Sequence, residues 1–333
     1  MDKTPESILE LARNFMECRV LLTAAELDLF SLLSHAPLTA REVTNCLDAD
    51  ERPMTILLDA LAGMQLITKR DGHYRCEPDV AALLAADAPR SVLPMVLHSA
   101  GLWGSWSELT GMVRGDAAAT ARAHGPRSEA NQRAFIGAMQ VVAGPRAPAI
   151  VAAIEPGSAR RLLDIGGASG TYTIAFLQAS PQMRVTLFDL PDVVDMARER
   201  LQAAGLLSRV DLVAGDFYRE ELPGDHDLAL LSAIIHQNSP TQNVELFKKV
   251  HRALVPGGRI VIRDHVMSPD RTQPRRGAVF AVNMLVRTEG GNVYTFADCE
   301  AALTAAGFTR VRLVQPDAPR GMTGVVEAYK PTT

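Results

Sequence analysis

The chain has 333 residues, 47% hydrophobic and 22% charged, with a formal net charge of −4, the profile of an ordinary globular protein of about two domains. No stretch approaches the roughly 20 apolar residues of a membrane helix. The polar N-terminus MDKTPESILELARNF lacks the basic-then-apolar order of a secretion signal, so a cytoplasmic protein is expected.

Taken in chain order, Ile8, Leu11, Phe15, Val20, Leu21, Ala24, Leu27 and Leu29 recur at helical spacing through residues 8–35. Thr39 followed by Glu42 predicts a capping box. Arg52 to Met64 forms the next helix, with Gly63 near its end, and Asp71-Gly72 between two short apolar runs predicts a hairpin. Helix, helix, hairpin is the order of a winged helix. Residues 1–95 hold nine Lys or Arg against fifteen Asp or Glu, whereas a DNA-binding face needs clustered positive charge. A dimerisation platform is the better reading.

From about Asp79 to Ala153 the pattern is helical, broken at Gly125-Pro126 and Gly144-Pro145. From Arg160 onward, strands are expected at 161–165, 184–189, 210–214, 227–235, 259–266, 309–315 and 323–329. Helices are expected at 170–180, 191–204, 240–254 and 296–306. Such alternation predicts an α/β fold, a mostly parallel sheet covered on both faces. The expected division is 1–100, a helical linker over 101–155, and 156–333. The four cysteines (Cys18, Cys46, Cys76, Cys299) form no CxxC pair and the eight histidines no HExxH, so neither a disulfide framework nor a metal site is predicted.

The first strand of the α/β part ends in "LLDIGGASGTYT". A dinucleotide site would need GxGxxG, which fails from Gly166 (Ala168, Thr171) and from Gly167 (Ser169, Tyr172). Asp164-x-Gly166-x-x-x-Gly170 is instead the turn of S-adenosylmethionine (SAM) sites. Asp189, ending "VTLFD", can accept hydrogen bonds from both ribose hydroxyls. Asp216 and Phe217, in "VAGDFY", can read the adenine amine and cover its ring. Each acid alone could be a helix cap. Three such features on successive strand ends, where open α/β sheets bind ligands, point to SAM.

"LLDIGGASGTYT", "FDLPDVV", "RVDLVAGDFY", "HRALVPGGRIVIRD" and "AAGFTRVRLV" resemble the caffeic-acid and acetylserotonin type O-methyltransferases and their bacterial relatives in secondary metabolism. The likeness runs over nearly the whole chain. It implies a Rossmann-like seven-stranded SAM-methyltransferase domain behind an N-terminal winged-helix dimerisation domain. It also implies a homodimer whose N-terminal helices interlock and a small-molecule acceptor; the acidic N-terminal part and the lack of a long apolar stretch predict neither a nucleic-acid nor a membrane partner.

The cofactor set expected from these motifs is Asp164, Gly166, Gly167, Gly170, Asp189, Leu190, Gly215, Asp216, Phe217 and Ser232; Ser232 stands where many family members carry lysine. His236, in "AIIHQNSP", takes the place of the family's catalytic histidine, with Gln237 and Asn238 replacing the acid and tryptophan that usually follow. Asp264 falls at the first of two acids that flank the histidine, and Val293 at the second. Phe135, Met139, Met284, Arg287 and Thr288 fall where the family lines its acceptor cavity. A buried guanidinium requires a partner, so Arg287 points to an anionic or carbonyl-bearing acceptor.

The leading expectation is methyl transfer from SAM to a hydroxyl of a small aromatic metabolite, with His236 as general base. The alternatives are a SAM-binding relative with other chemistry (decarboxylation, hydroxylation or a pericyclic reaction) and a SAM-responsive DNA-binding regulator.

Overall fold

The structure is a computed structural model that describes residues 3–125, 129–319 and 321–332. It divides into two compact units, residues 1–104 with 126–141 and residues 105–125 with 142–333.

In the first unit α1 (Pro5–Glu26) starts from a capping box between Thr4 and Ser7. The apolar periodicity of residues 8–35 is two helices, because Asp28 takes φ +51° before α2 (Leu29–His35). A short strand β1 (Leu38–Thr39) leads into α3 (Ala40–Leu47), capped by Thr39 and Glu42 as expected. α4 (Glu51–Gly63) and the hairpin of β2 (Thr68–Arg70) and β3 (His73–Arg75) follow. Asp71 and Gly72 turn the hairpin with φ of +47° and +78°, the left-handed pair of a type I′ turn. Leu29, Phe30, Leu33, Val43, Leu58, Leu61 and Tyr74 close the core. On α1, Ile8, Leu11, Phe15 and Met16 remain exposed.

The helical stretch becomes α5 (Pro78–Leu84), α6 (Leu93–Ser107), α7 (Leu109–Val113), α8 (Ala117–Ala123), α9 (Glu129–Ala143) and α10 (Ala147–Ile154). Gly144-Pro145 separates the last two, and Pro126 lies outside the described residues. Residues 101–155 are divided between the two units.

The second unit is built on β4 (Arg161–Ile165), α11 (Thr171–Ala179), β5 (Arg184–Asp189), α12 (Pro191–Ala203), β6 (Val210–Ala214) and β7 (His226–Ser232). It continues through α13 (Pro240–Ala253), β8 (Leu254–Asp264), β9 (Val266–Met267), α14 (Arg275–Arg287), β10 (Tyr294–Thr295), α15 (Phe296–Ala305), β11 (Thr309–Gln315) and β12 (Gly324–Tyr329). The seven-stranded sheet runs β11-β12-β8-β7-β4-β5-β6, antiparallel only at β12. Side chains alternate across it: Leu163, Ile165, Ala229 and Leu231 pack with Leu246, Phe247 and Leu303 on one face. Leu162, Leu228, Leu230 and Val261 pack with Ile150, Ile154 and Phe176 on the other. Both faces are covered, so the strands read as near-continuous apolar runs.

Two expectations are corrected here. The strand expected at 227–235 stops at Ser232; Ala233 takes φ +59° and Ile235–Gln237 form a 3₁₀ turn. His236 therefore stands on that turn and does not end the strand. α14 was not expected at all. No single helix among the described residues is long and apolar enough to cross a membrane.

Candidate active site

Chain order reverses between β4 and β7, which are neighbours in the sheet, and the cleft outside their carboxyl ends is where such sheets bind ligands. Gly166 has φ +67°, and its N–H donates to the Phe188 carbonyl at 2.8 Å. A Cβ on it would stand 2.5 Å from Ile234 Cδ1 and 3.8 Å from Phe217 Cε1, and one on Gly167 would stand 2.7 Å from Leu187 Cγ. Gly170, at φ +74°, leads into α11. This turn tolerates no side chain at 166 or 167.

Asp164 is 1% exposed and accepts the Thr173 hydroxyl at 2.6 Å. Burial pushes its carboxyl up to about 6 against that hydrogen bond. It braces β4 to α11 behind the turn. Asp189 accepts the Ala168 N–H at 2.8 Å on Oδ2 and the Leu190 N–H at 2.7 Å on Oδ1. Burial pushes this carboxyl up as well, and the two amides oppose it. Leu190 is exposed at the start of α12.

Gly215 donates to the Asp189 carbonyl at 2.9 Å, and a Cβ there would sit 2.5 Å from Phe188 Cζ. Asp216 accepts the Tyr218 N–H at 2.9 Å, so it does cap its own turn. The Phe217 ring lies 4.5 Å from that of Tyr218. Ser232 ends β7, opposite Arg263 on β8. The structure thus gathers the whole predicted cofactor set along one edge of the sheet, except that Asp164 is turned inward as a brace.

His236 follows Ile234, the residue that packs against Gly166. Its Nδ1 lies 2.9 and 3.0 Å from the two oxygens of Asp264, with 12% and 1% of the two side chains exposed. Burial raises the Asp264 carboxyl, but His236, His265 and the His265 N–H outweigh it and hold the group below the usual carboxylate range. Phe280 on α14 meets the His236 ring edge-on, centroids 5.0 Å apart. The His236 carbonyl accepts the Asn292 N–H at 2.9 Å.

Of the predicted acceptor residues, Phe135 and Met139 lie on α9 in the first unit, where Phe135 packs on His98 at 5.3 Å. Met284, Arg287 and Thr288 lie in the second. Met284 is buried on α14. The Thr288 hydroxyl donates to the Met284 carbonyl and accepts the Gly291 N–H, so it closes the helix end. Arg287 donates from Nη1 to Ser105 Oγ at 2.7 Å and to the Ala123 carbonyl at 3.4 Å. Its buried Nε has no partner among the described residues.

The O-methyltransferase domain matches residues 106–309, and the O-methyltransferase dimerisation domain matches residues 9–86. The chain belongs to the O-methyltransferase family. This methyltransferase is similar to 3-hydroxy-5-methyl-1-naphthoate 3-O-methyltransferase of Streptomyces sahachiroi, with 32% identity over 98% of the chain and 95% of the relative. In fold it is similar to human N-acetylserotonin methyltransferase in complex with SAM, with TM-score 0.82, 25% identity, and 100% and 99% of the two chains covered. It is also similar to PigF with SAH, with TM-score 0.86, 26% identity, and 98% and 100% covered. The protein is a SAM-dependent O-methyltransferase acting on a small molecule. The glycine cradle and the apolar Ile234 and Phe217 above it fit such a cofactor.

The supporting contacts of several residues went unread in the sequence. Arg200 on α12 holds the glycine turn through Ser169 and Thr171, at 2.8–3.0 Å. Lys249 Nζ donates to the carbonyls of Phe217, Tyr218 and Glu220, fixing the loop that carries Phe217. The buried Asn238 stands in a chain with the Tyr218 hydroxyl and Asn243, and Asn243 donates to the Ile235 carbonyl. That network props up the turn bearing His236. His265 forms a second pair with Asp317 at 2.6 Å, on Phe280. A lysine or asparagine at helical spacing reads as surface, and only tertiary proximity reveals these ties.

Proposed function

We propose that the enzyme methylates a hydroxyl of a small aromatic acceptor that carries an anionic or carbonyl group, with His236 as general base. The carrying observation is the His236–Asp264 pair, set two residues beyond the Ile234 that packs over the Gly166 turn. When bound, SAM supplies an electrophilic methyl on a sulfonium sulfur. Each Asp189 oxygen already accepts one backbone N–H and keeps a second lone pair for a ribose hydroxyl. Gly166, Gly167 and Gly170 leave room for the cofactor, and Phe217 offers an apolar face to the base.

His236 donates Nδ1–H to Asp264, which leaves the Nε2 lone pair to take the acceptor's proton. Asp264, held ionised at neutral pH, fixes that tautomer and stabilises the imidazolium that results. Phe280, Met284 and Arg287 share a face of α14 by their spacing, roughly 10 Å end to end at 1.5 Å per residue. A two-ring acceptor would reach from His236 toward the Arg287 guanidinium, which has no carboxylate partner among the described residues.

The test is SAH release from SAM with hydroxynaphthoates and with naphthols lacking the carboxylate. Turnover with the acids is expected, with kcat/KM lower by about 10-fold or more for the naphthols, the worth of one charge-assisted bond. Equal rates would remove the anionic group from the reading, and no SAH with any hydroxy-aromatic acid would remove the acceptor class.

The enzyme also pairs as a homodimer through residues 1 to about 100. The exposed apolar face of α1 and the matched dimerisation domain support this, since exposed apolar patches mark interfaces. Light scattering should give twice the chain mass; a well-folded monomer at micromolar concentration would contradict the pairing.

A further inference from the structure

The turn that carries His236 is held by a series of hydrogen bonds whose direction follows from one end. The Ile235 carbonyl, at the start of the turn, can only accept, and Asn243 Nδ2 donates to it at 3.0 Å. Asn243 Oδ1 is thus free to accept, and Asn238 Nδ2 donates to it at 3.0 Å. That leaves Asn238 Oδ1 as an acceptor in its turn, and the Tyr218 hydroxyl donates to it. Each amide accepts on one side and donates on the other, so the series needs a donor at position 218. Asn238 is fully buried. Without that donor its Oδ1 would be left desolvated and unpaired, which is costly.

Two further ties hold the same turn from the segment after α14. The Tyr294 hydroxyl donates to the Asn238 carbonyl, and the Asn292 N–H donates to the His236 carbonyl at 2.9 Å. A Cβ on Gly291 would stand 2.6 Å from that carbonyl oxygen, so this segment lies directly against the turn. The tie from Tyr218 comes from the other side of the cleft. Tyr218 follows Phe217, whose ring packs 4.5 Å from its own and borders the Gly166 turn. Lys249 Nζ donates to the carbonyls of both residues, at 2.8 and 3.1 Å, which fixes the pair together.

The geometry points to Tyr218 as a positioning residue for the base: its hydroxyl fastens the loop that carries Phe217 to the turn that aims His236. The imidazole is thereby set from the cofactor side of the cleft as well as by Asp264. This rests on His236 as the general base, and the experiment keeps the two claims apart.

Tyr218→Phe removes one oxygen from a half-exposed side chain, so the fold should persist. A catalytic group displaced by about 1 Å can lose about 10²-fold. Turnover of a hydroxynaphthoate by Tyr218→Phe should therefore fall by about 5- to 30-fold, while calorimetry finds S-adenosylhomocysteine affinity changed by less than about twofold. On a His236→Ala background the same substitution should lower turnover by less than about twofold more, since residues that act through one group are not additive. The downfield proton resonance of His236 Nδ1–H, assigned by its loss in His236→Ala, gives a reading that needs no acceptor. Tyr218→Phe should shift or broaden it in the S-adenosylhomocysteine complex. An unmoved resonance, wild-type turnover, or a loss repeated in full on His236→Ala would overturn the assignment. So would an S-adenosylhomocysteine affinity that falls in step with turnover, which would make Tyr218 a cofactor contact. His236→Ala turning over at the wild-type rate would instead sink the base itself.

Discussion

Replacing His236 with alanine is expected to lower turnover by about 10²–10⁴-fold, the usual worth of a positioned general base, while SAM affinity stays nearly unchanged. The split follows from geometry. The imidazole bonds to Asp264 and packs on Phe280, and neither belongs to the glycine cradle. Truncation leaves a small void beside Phe280 and an Asp264 still held by the His265 N–H at 2.7 Å, so the fold should persist. A steady-state kcat and a SAM dissociation constant on the same preparation check it. Loss of SAM binding in parallel with turnover would make His236 a structural residue.

Asp264→Asn is the second large effect. The amide has nearly the same shape, but it lacks the negative charge and can present an N–H to Nδ1. The imidazole would then place its proton on Nε2, where the acceptor hydroxyl needs a lone pair. A comparable exchange in a His–Asp pair elsewhere costs up to about 10⁴-fold; about 10²-fold or more is expected here. The carboxylate is held below the ordinary range, so through the neutral range it stays ionised and the asparagine cannot mimic it. Near wild-type turnover in a well-folded Asp264→Asn protein would show that tautomer control is not needed.

The glycine turn and Asp189 were legible because strand ends, glycine spacing and acids are local features, and the sheet carries them to one edge whatever the loops do. The 3₁₀ turn under His236 was not. "LLSAII" is apolar but for Ser232 and reads as continuous strand, and nothing local announces that Ala233 takes φ +59°. α14 was missed for a similar reason. Its run GAVFAVNMLV is apolar almost throughout, so no one-sided stripe stands out, and it is pinned by tertiary ties such as Trp106 Nε1 donating to Asn283 at 3.0 Å. Lys249 and Arg200 carry no signal in sequence, because what they hold lies on distant segments.

Transfer of a carbon-13 methyl from SAM to a hydroxynaphthoate, followed by carbon NMR, bears most directly on oxygen methylation driven by the His236–Asp264 pair. The wild-type enzyme should give a methoxy carbon and one equivalent of S-adenosylhomocysteine. His236→Gln should give the same product about 10²-fold more slowly or worse across the pH range. A methyl on a ring carbon or a nitrogen, or His236→Gln turning over at close to the wild-type rate, would contradict the account.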